Sequence, residues 1–131
     1  MRPLGYWLKH IDALIEADFA AALADFGLDR RTWQVLNTLH AKPHTYAELT
    51  AAVAPFPDTD AAVRALAERG LITVTENTLY LNDTGEKSYV EVAARVRERR
   101  ERITRGISDE EYAATITVFE RMAANLTTSG S

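Results

Sequence analysis

Apolar side chains recur at steps of three and four over residues 4–26: Leu4, Leu8, Ile11, Ile15, Phe19, Ala22, Leu23 and Phe26. That period predicts one long α-helix, with Gly27 as its stop. A second stripe (Tyr6, Trp7, His10, Leu14, Ala17 and Ala21) runs beside the first. A helix apolar over so wide an arc is covered on more than one side. In a chain of 131 residues, part of that cover is expected from a partner subunit.

The next segments carry clear stop and start signals. Asp29 can cap a helix over residues 30–40 that turns Trp33, Leu36 and Leu39 inward. Thr45 and Glu48 form a capping box opening a short helix, with Leu49 and Val53 inside. Pro55-Phe56-Pro57 forces a turn, because proline cannot continue a helix. Asp58 or Thr59 then caps a helix ending at Arg69, with Val63 and Leu66 toward the core and Gly70 as its stop. Residues 71–74 and 78–81 read as strands, joined by a turn at Glu76-Asn77. Asn82 caps a fifth helix reaching about residue 105, its apolar side marked by Tyr89, Val92, Val96 and Ile103. Ser108 and Glu111 make a second capping box, and the acids there suit the positive end of a helix. A last helix follows to about residue 126, with Tyr112, Ile116, Phe119 and Met122 as its stripe.

Helix, turn, helix and tight ribbon over residues 45–81 is the plan of a winged helix-turn-helix, a DNA-reading module. The expected fold is therefore mainly α: a winged helix-turn-helix with a short β-hairpin wing and long N- and C-terminal dimerisation helices. Residues 1–131 are expected to form a single domain. Within it, 28–82 make the DNA-binding lobe, and 3–26 and 83–126 the helices that pair two copies.

Composition removes other classes of function. The absence of cysteine excludes disulfides, thiol chemistry and zinc-finger ligation, and suits a reducing cytoplasm. The charged N-terminus offers no signal peptide, and no run approaches the roughly 18 apolar residues of a membrane span. A cytoplasmic protein without membrane contact is expected. His40 and His44 are separated by Pro43, share no helix face and lack a third ligand, so no metal is expected. Nucleophile elbow, phosphate-loop glycines and paired catalytic carboxylates are all missing, which points away from an enzyme and from a cofactor. The tail from residue 127 onward is expected to fray.

Five segments carry a resemblance. They are Leu4-Gly5-Tyr6-Trp7-Leu8, Leu28-Asp29-Arg30-Arg31-Thr32-Trp33-Gln34-Val35-Leu36, the L-A-E-R-G-L of residues 66–71, Leu81-Asn82-Asp83-Thr84-Gly85, and Gly106-Ile107-Ser108-Asp109-Glu110-Glu111. In this order and spacing the chain resembles the MarR family of winged-helix transcriptional regulators over nearly its whole length. The resemblance implies a homodimer joined by first and last helices, a palindromic double-stranded DNA operator, and release by a small, frequently aromatic ligand.

The reading head departs from that family. Its second helix opens Asp58-Thr59-Asp60-Ala61, and the wing turns at Thr75-Glu76-Asn77 without the family's arginine. Between residues 29 and 90 there are six basic and eight acidic side chains, a net of −2. Thr59 and Arg64 are the candidates for base-edge or phosphate contact; their ordinary alternatives are a helix cap and a solvated arginine. Tyr46 sits where such a module touches phosphate, although a packed aromatic serves equally. Thr75 and Asn77 could touch a minor groove, or simply make a turn. Tyr6, His10 and Trp33 lie where the first helix would cross the second, and either line a pocket for a small aromatic ligand or pack the core. The arginines at 95, 97, 99, 100, 102 and 105 could steer DNA, or form i,i+4 ion pairs such as Glu91–Arg95 and Glu98–Arg102. A second function stays open: a winged-helix dimer without DNA binding, serving as a protein-interaction or ligand-sensing module.

Overall fold

The computed structural model describes residues 1–54 and 58–127. The expected proline turn at residues 55–57 and the tail at 128–131 lie outside the described residues. The elements run α1 (Leu4–Ala24), α2 (Arg30–Ala41), β1 (His44–Thr45), α3 (Tyr46–Ala52), α4 (Thr59–Glu68), β2 (Ile72–Thr75), β3 (Thr78–Leu81), α5 (Asp83–Ile103) and α6 (Asp109–Thr127). This is a mainly α winged helix with a β-hairpin wing, as the periodicity predicts. The chain divides into two compact units, residues 1–99 and 100–131.

In the first unit, the core gathers under α2, α3 and α4. Leu23, Leu36, Leu49, Leu66, Leu79, Val35 and Val92 are fully buried there. Each is worth about 1.5–3 kcal/mol of burial, and together they bind the helix-turn-helix to the ribbon and to α5. Caps set the helix starts. Asp29 Oδ1 accepts from the Thr32 N–H at 2.9 Å, and Thr32 Oγ1 accepts from the Asp29 N–H at 2.9 Å. Thr45 and Glu48 exchange the same pair of bonds at α3.

The sheet holds one strand more than the periodicity suggests. β1 pairs with β3 through His44↔Leu79 and Thr45↔Thr78, giving the order β1-β3-β2. Two residues carry no readable alternation, so sequence could not reveal it. The wing turn falls at Glu76-Asn77 as expected. Both residues take positive φ, 47° and 73°, the left-handed pair that a two-residue hairpin turn requires.

Asn82 ties the ribbon to α5. Its Oδ1 accepts from the Gly85 N–H at 2.9 Å, and its Nδ2 donates to the Gly70 carbonyl at 2.9 Å. At Gly85 a Cβ would lie 2.0 Å from the Leu71 carbonyl oxygen, so only glycine lets α5 start this close to the sheet. On α5, Arg95 reaches Asp25 at 3.7 Å rather than the expected Glu91, and Arg99 reaches Asp18 at 3.4 Å. These pairs fasten α5 to α1.

Much apolar surface is left bare. On α1, Leu4, Trp7, Leu8, Ile11, Leu14 and Ile15 are between 38% and 56% exposed. In the second unit, no described residue of α6 is buried; Tyr112, Ile116, Val118 and Phe119 stand in the open. No helix among the described residues is long and apolar enough to cross a membrane.

Candidate nucleic-acid interface

The start of α4 is tied to another helix. Asp58 is the residue preceding α4, and it takes a left-handed conformation with φ 65° and no side-chain cap bond. Asp58 thus holds the N-cap position expected of it or Thr59, but without the side-chain bond of a cap. Its carboxylate instead accepts from Arg31 of α2 at 2.9 Å. A left-handed aspartate is tolerated because its short polar chain can bond locally. Here it aims at an arginine one helix away. The pair is half-exposed and worth at most about 1 kcal/mol. Thr59, the other proposed cap, is the first helical residue and is half-buried.

Tyr46 and Thr50 of α3 face Thr59, Asp60, Ala61 and Arg64 of α4 across an open groove of about 470 Å³ that Asp58 also borders. Three of the five DNA candidates thus share one surface: Tyr46, Thr59 and Arg64. Tyr46 is half-buried and packs partly on the core. The solvent face of α4 is Asp60, Ala61, Arg64, Ala67 and Glu68. The side chains of Asp60 and Arg64 make no hydrogen bond or ion pair among the described residues. Thr75 and Asn77 are exposed at the wing tip, away from this groove.

Most other cations of the lobe are occupied. Arg30 makes a two-pronged bond to Glu16 at 2.7 and 2.8 Å. Arg69 donates to the carbonyls of Phe26 and Gly27 at 2.8 and 3.1 Å, closing the end of α1. Glu48 of α3 is held below the usual glutamate range. The Thr45 backbone N–H is the main cause, followed by the Thr45 hydroxyl, with His44 and Lys42 adding weakly and desolvation opposing. That carboxylate is a cap and stays ionised.

The three ligand candidates fall into two groups. Tyr6 stacks on His10 at 5.2 Å, both on α1. Trp33 stacks on Tyr89 of α5 at 5.0 Å, and Tyr89 on His40 at 3.9 Å. The Tyr89 hydroxyl donates to Asn37 at 2.7 Å, and His40 pairs with Glu86 at 2.9 Å. Arg30 of α2 meets α1 at Glu16 and over the Phe19 ring, the nearer of them ten residues beyond Tyr6, about 15 Å along the helix. Among the described residues, ring contacts therefore do not bring Tyr6 and His10 onto Trp33. Sequence reasoning missed the Trp33–Tyr89–His40 stack, since its members come from segments with no shared motif.

No family model matches the chain, and no curated protein does. Solved structures match over nearly its full length. A MarR family protein of Mycobacterium tuberculosis is 24% identical over 96% of this chain and 95% of its own, at a TM-score of 0.72. A structure of that protein in complex with DNA aligns at 0.73, with 24% identity over 98% of this chain and 100% of the other. MepR, a transcription regulator of the Staphylococcus aureus multidrug efflux pump MepA, is 18% identical over 96% and 100%, at 0.80. The transcriptional repressor CouR is 25% identical over 93% of each chain, at 0.70, and has also been solved bound to p-coumaroyl-CoA. The fold is that of the MarR-family winged-helix regulators.

Proposed function

We propose that this chain is a MarR-family transcriptional regulator that binds DNA as a homodimer. The observation that carries the reading is the groove itself: Arg64 stands outward, without an ion pair among the described residues, on the helix that a winged helix-turn-helix presents to the major groove. The bare apolar faces of α1 and α6 support the second copy, because a monomer rarely leaves so much apolar surface in water. Two copies related by a two-fold axis would read two half-sites of a palindrome. Structures of this fold solved with DNA and with p-coumaroyl-CoA support DNA and a small ligand as the partners. A ligand that binds one spacing of the two heads better would shift DNA affinity by that difference.

The test is a mobility shift with DNA from upstream of the protein's own gene, using wild type and Arg64→Ala. The wild type is expected to retard one fragment against competitor DNA, and the variant to lose at least tenfold in affinity with unchanged melting temperature. Equal retardation by both proteins would contradict the assignment of Arg64.

One observation favours the second reading, a dimer that senses or docks without DNA. The lobe is acidic overall, and Asp60 and Glu68 lie on the same face as Arg64. Phosphates are repelled by such a face. Absence of any specific retardation at low salt selects this reading.

A further inference from the structure

Asp60 is a costly residue for a surface that approaches DNA, and its position says what it could be for. It is exposed, it has no partner among the described residues, and it lies one helical turn before Arg64 on the same face of α4. Ala61 stands beside it with only a methyl group, leaving room for a base edge to approach both carboxylate oxygens. The neighbouring Asp58 is held by Arg31, whereas the Asp60 carboxylate has no partner among the described residues, so the two aspartates are not equivalent.

We propose that Asp60 is a specificity-determining residue that reads cytosine, paired with Arg64 reading guanine, in each half-site. The inference rests on the DNA-binding function proposed above. In the major groove only the amines of cytosine and adenine donate. Adenine places its N7 acceptor beside that donor, which repels the second oxygen of a carboxylate. Cytosine has no acceptor of its own next to its N4 amine, so a carboxylate prefers it. Arg64 matches the two acceptors of guanine, O6 and N7. Residues 60 and 64 are separated by a rise of about 6 Å, close to two base-pair steps of about 3.4 Å. The half-site is therefore expected to hold a cytosine and a guanine about two steps apart. Wherever cytosine is absent the Asp60 carboxylate is left without a donor and faces base acceptors instead, so it penalises wrong sequences more than it strengthens the right one.

The experiment is selection of bound duplexes from a randomised DNA library by the full-length wild type, Asp60→Asn and Arg64→Ala. Melting curves run alongside verify that each is folded. The wild type is expected to enrich a palindrome with the cytosine and guanine so spaced. Asparagine suits the paired donor and acceptor of adenine, so Asp60→Asn is expected to replace the cytosine by adenine. A good base-edge contact discriminates by about 5- to 150-fold, and the change in preference should fall in that range. Arg64→Ala should lose the guanine and keep the cytosine. If Asp60→Asn fails to fold, Asp60→Ala serves, and should lose the cytosine without gaining adenine. Enrichment of the unchanged motif by either Asp60 variant, merely bound more tightly, overturns the proposal and makes Asp60 a helix-end charge only. A wild-type motif lacking that cytosine overturns it while leaving DNA binding intact. Enrichment of no sequence at all overturns it together with the proposed function.

Discussion

Gly85 shows how narrowly one position can be fixed. A Cβ there would meet the Leu71 carbonyl oxygen at 2.0 Å, and backbone cannot step aside as a flexible side chain would. Gly85→Ala is expected to lose about 1–3 kcal/mol of stability, in the range of overpacking, read as a lower urea midpoint. An unchanged midpoint would show that α5 has slack. Two glutamates make a prediction in pH. Glu48 and Glu111 are held below the usual carboxylate range chiefly by the backbone N–H groups of Thr45 and Ser108, and next by those residues' hydroxyls. A folded-state pKa below the unfolded value of about 4.3 contributes stability that is complete above that value. It is lost as pH falls through it and then through the lowered folded value. The double variant Glu48→Gln/Glu111→Gln should therefore show a flatter fall in urea midpoint between about pH 5 and pH 3 than the wild type; parallel profiles would contradict the caps. These boxes were legible in sequence because T-x-x-E and S-x-x-E are local. Asn82 was legible only as a helix cap. Its amide bond to the Gly70 carbonyl joins parts twelve residues apart, which no local motif encodes.

Helices with strong caps and a long period matched the sequence reading to within two residues, as α2 and α6 show. Departures came where a neighbour decided. Asp58 or Thr59 was expected to cap α4; Asp58 takes the N-cap position in a left-handed conformation, and its carboxylate bonds Arg31 rather than the helix N–H groups. β1 exists because β3 offers it an edge, not because His44-Thr45 favours a strand. Trp33, grouped with Tyr6 and His10 by proximity of helices, stacks on Tyr89 of α5, a contact that no local motif signals. The exposed stripes of α1 and α6 were foreseen as pairing surfaces, and their exposure fits that role. Leu8→Glu/Ile11→Glu places two charges in the α1 stripe, where a buried unpaired carboxylate costs far more than the lost contacts. Sedimentation should report a dimer for the wild type and a folded monomer for the variant. A variant that stays dimeric would move the pairing surface off α1.

The net charge of −4 is consistent with DNA binding only if recognition rests on a few well-aimed groups rather than on a basic field. Arg30, Arg31 and Arg69 are spent on holding helices together, which leaves Arg64 as the cation of the groove. Affinity should accordingly fall less steeply with salt than for a basic homologous fold, because fewer counterions are released. The account depends on that outward helix being presented twice, by a two-fold pair, to one face of a duplex. Hydroxyl-radical footprinting on a selected palindrome tests this most directly. Two protected blocks on each strand, centred about one DNA turn (10–10.5 base pairs) apart, are predicted at saturating protein and low salt. A single block, or cleavage indistinguishable from free DNA, would contradict it.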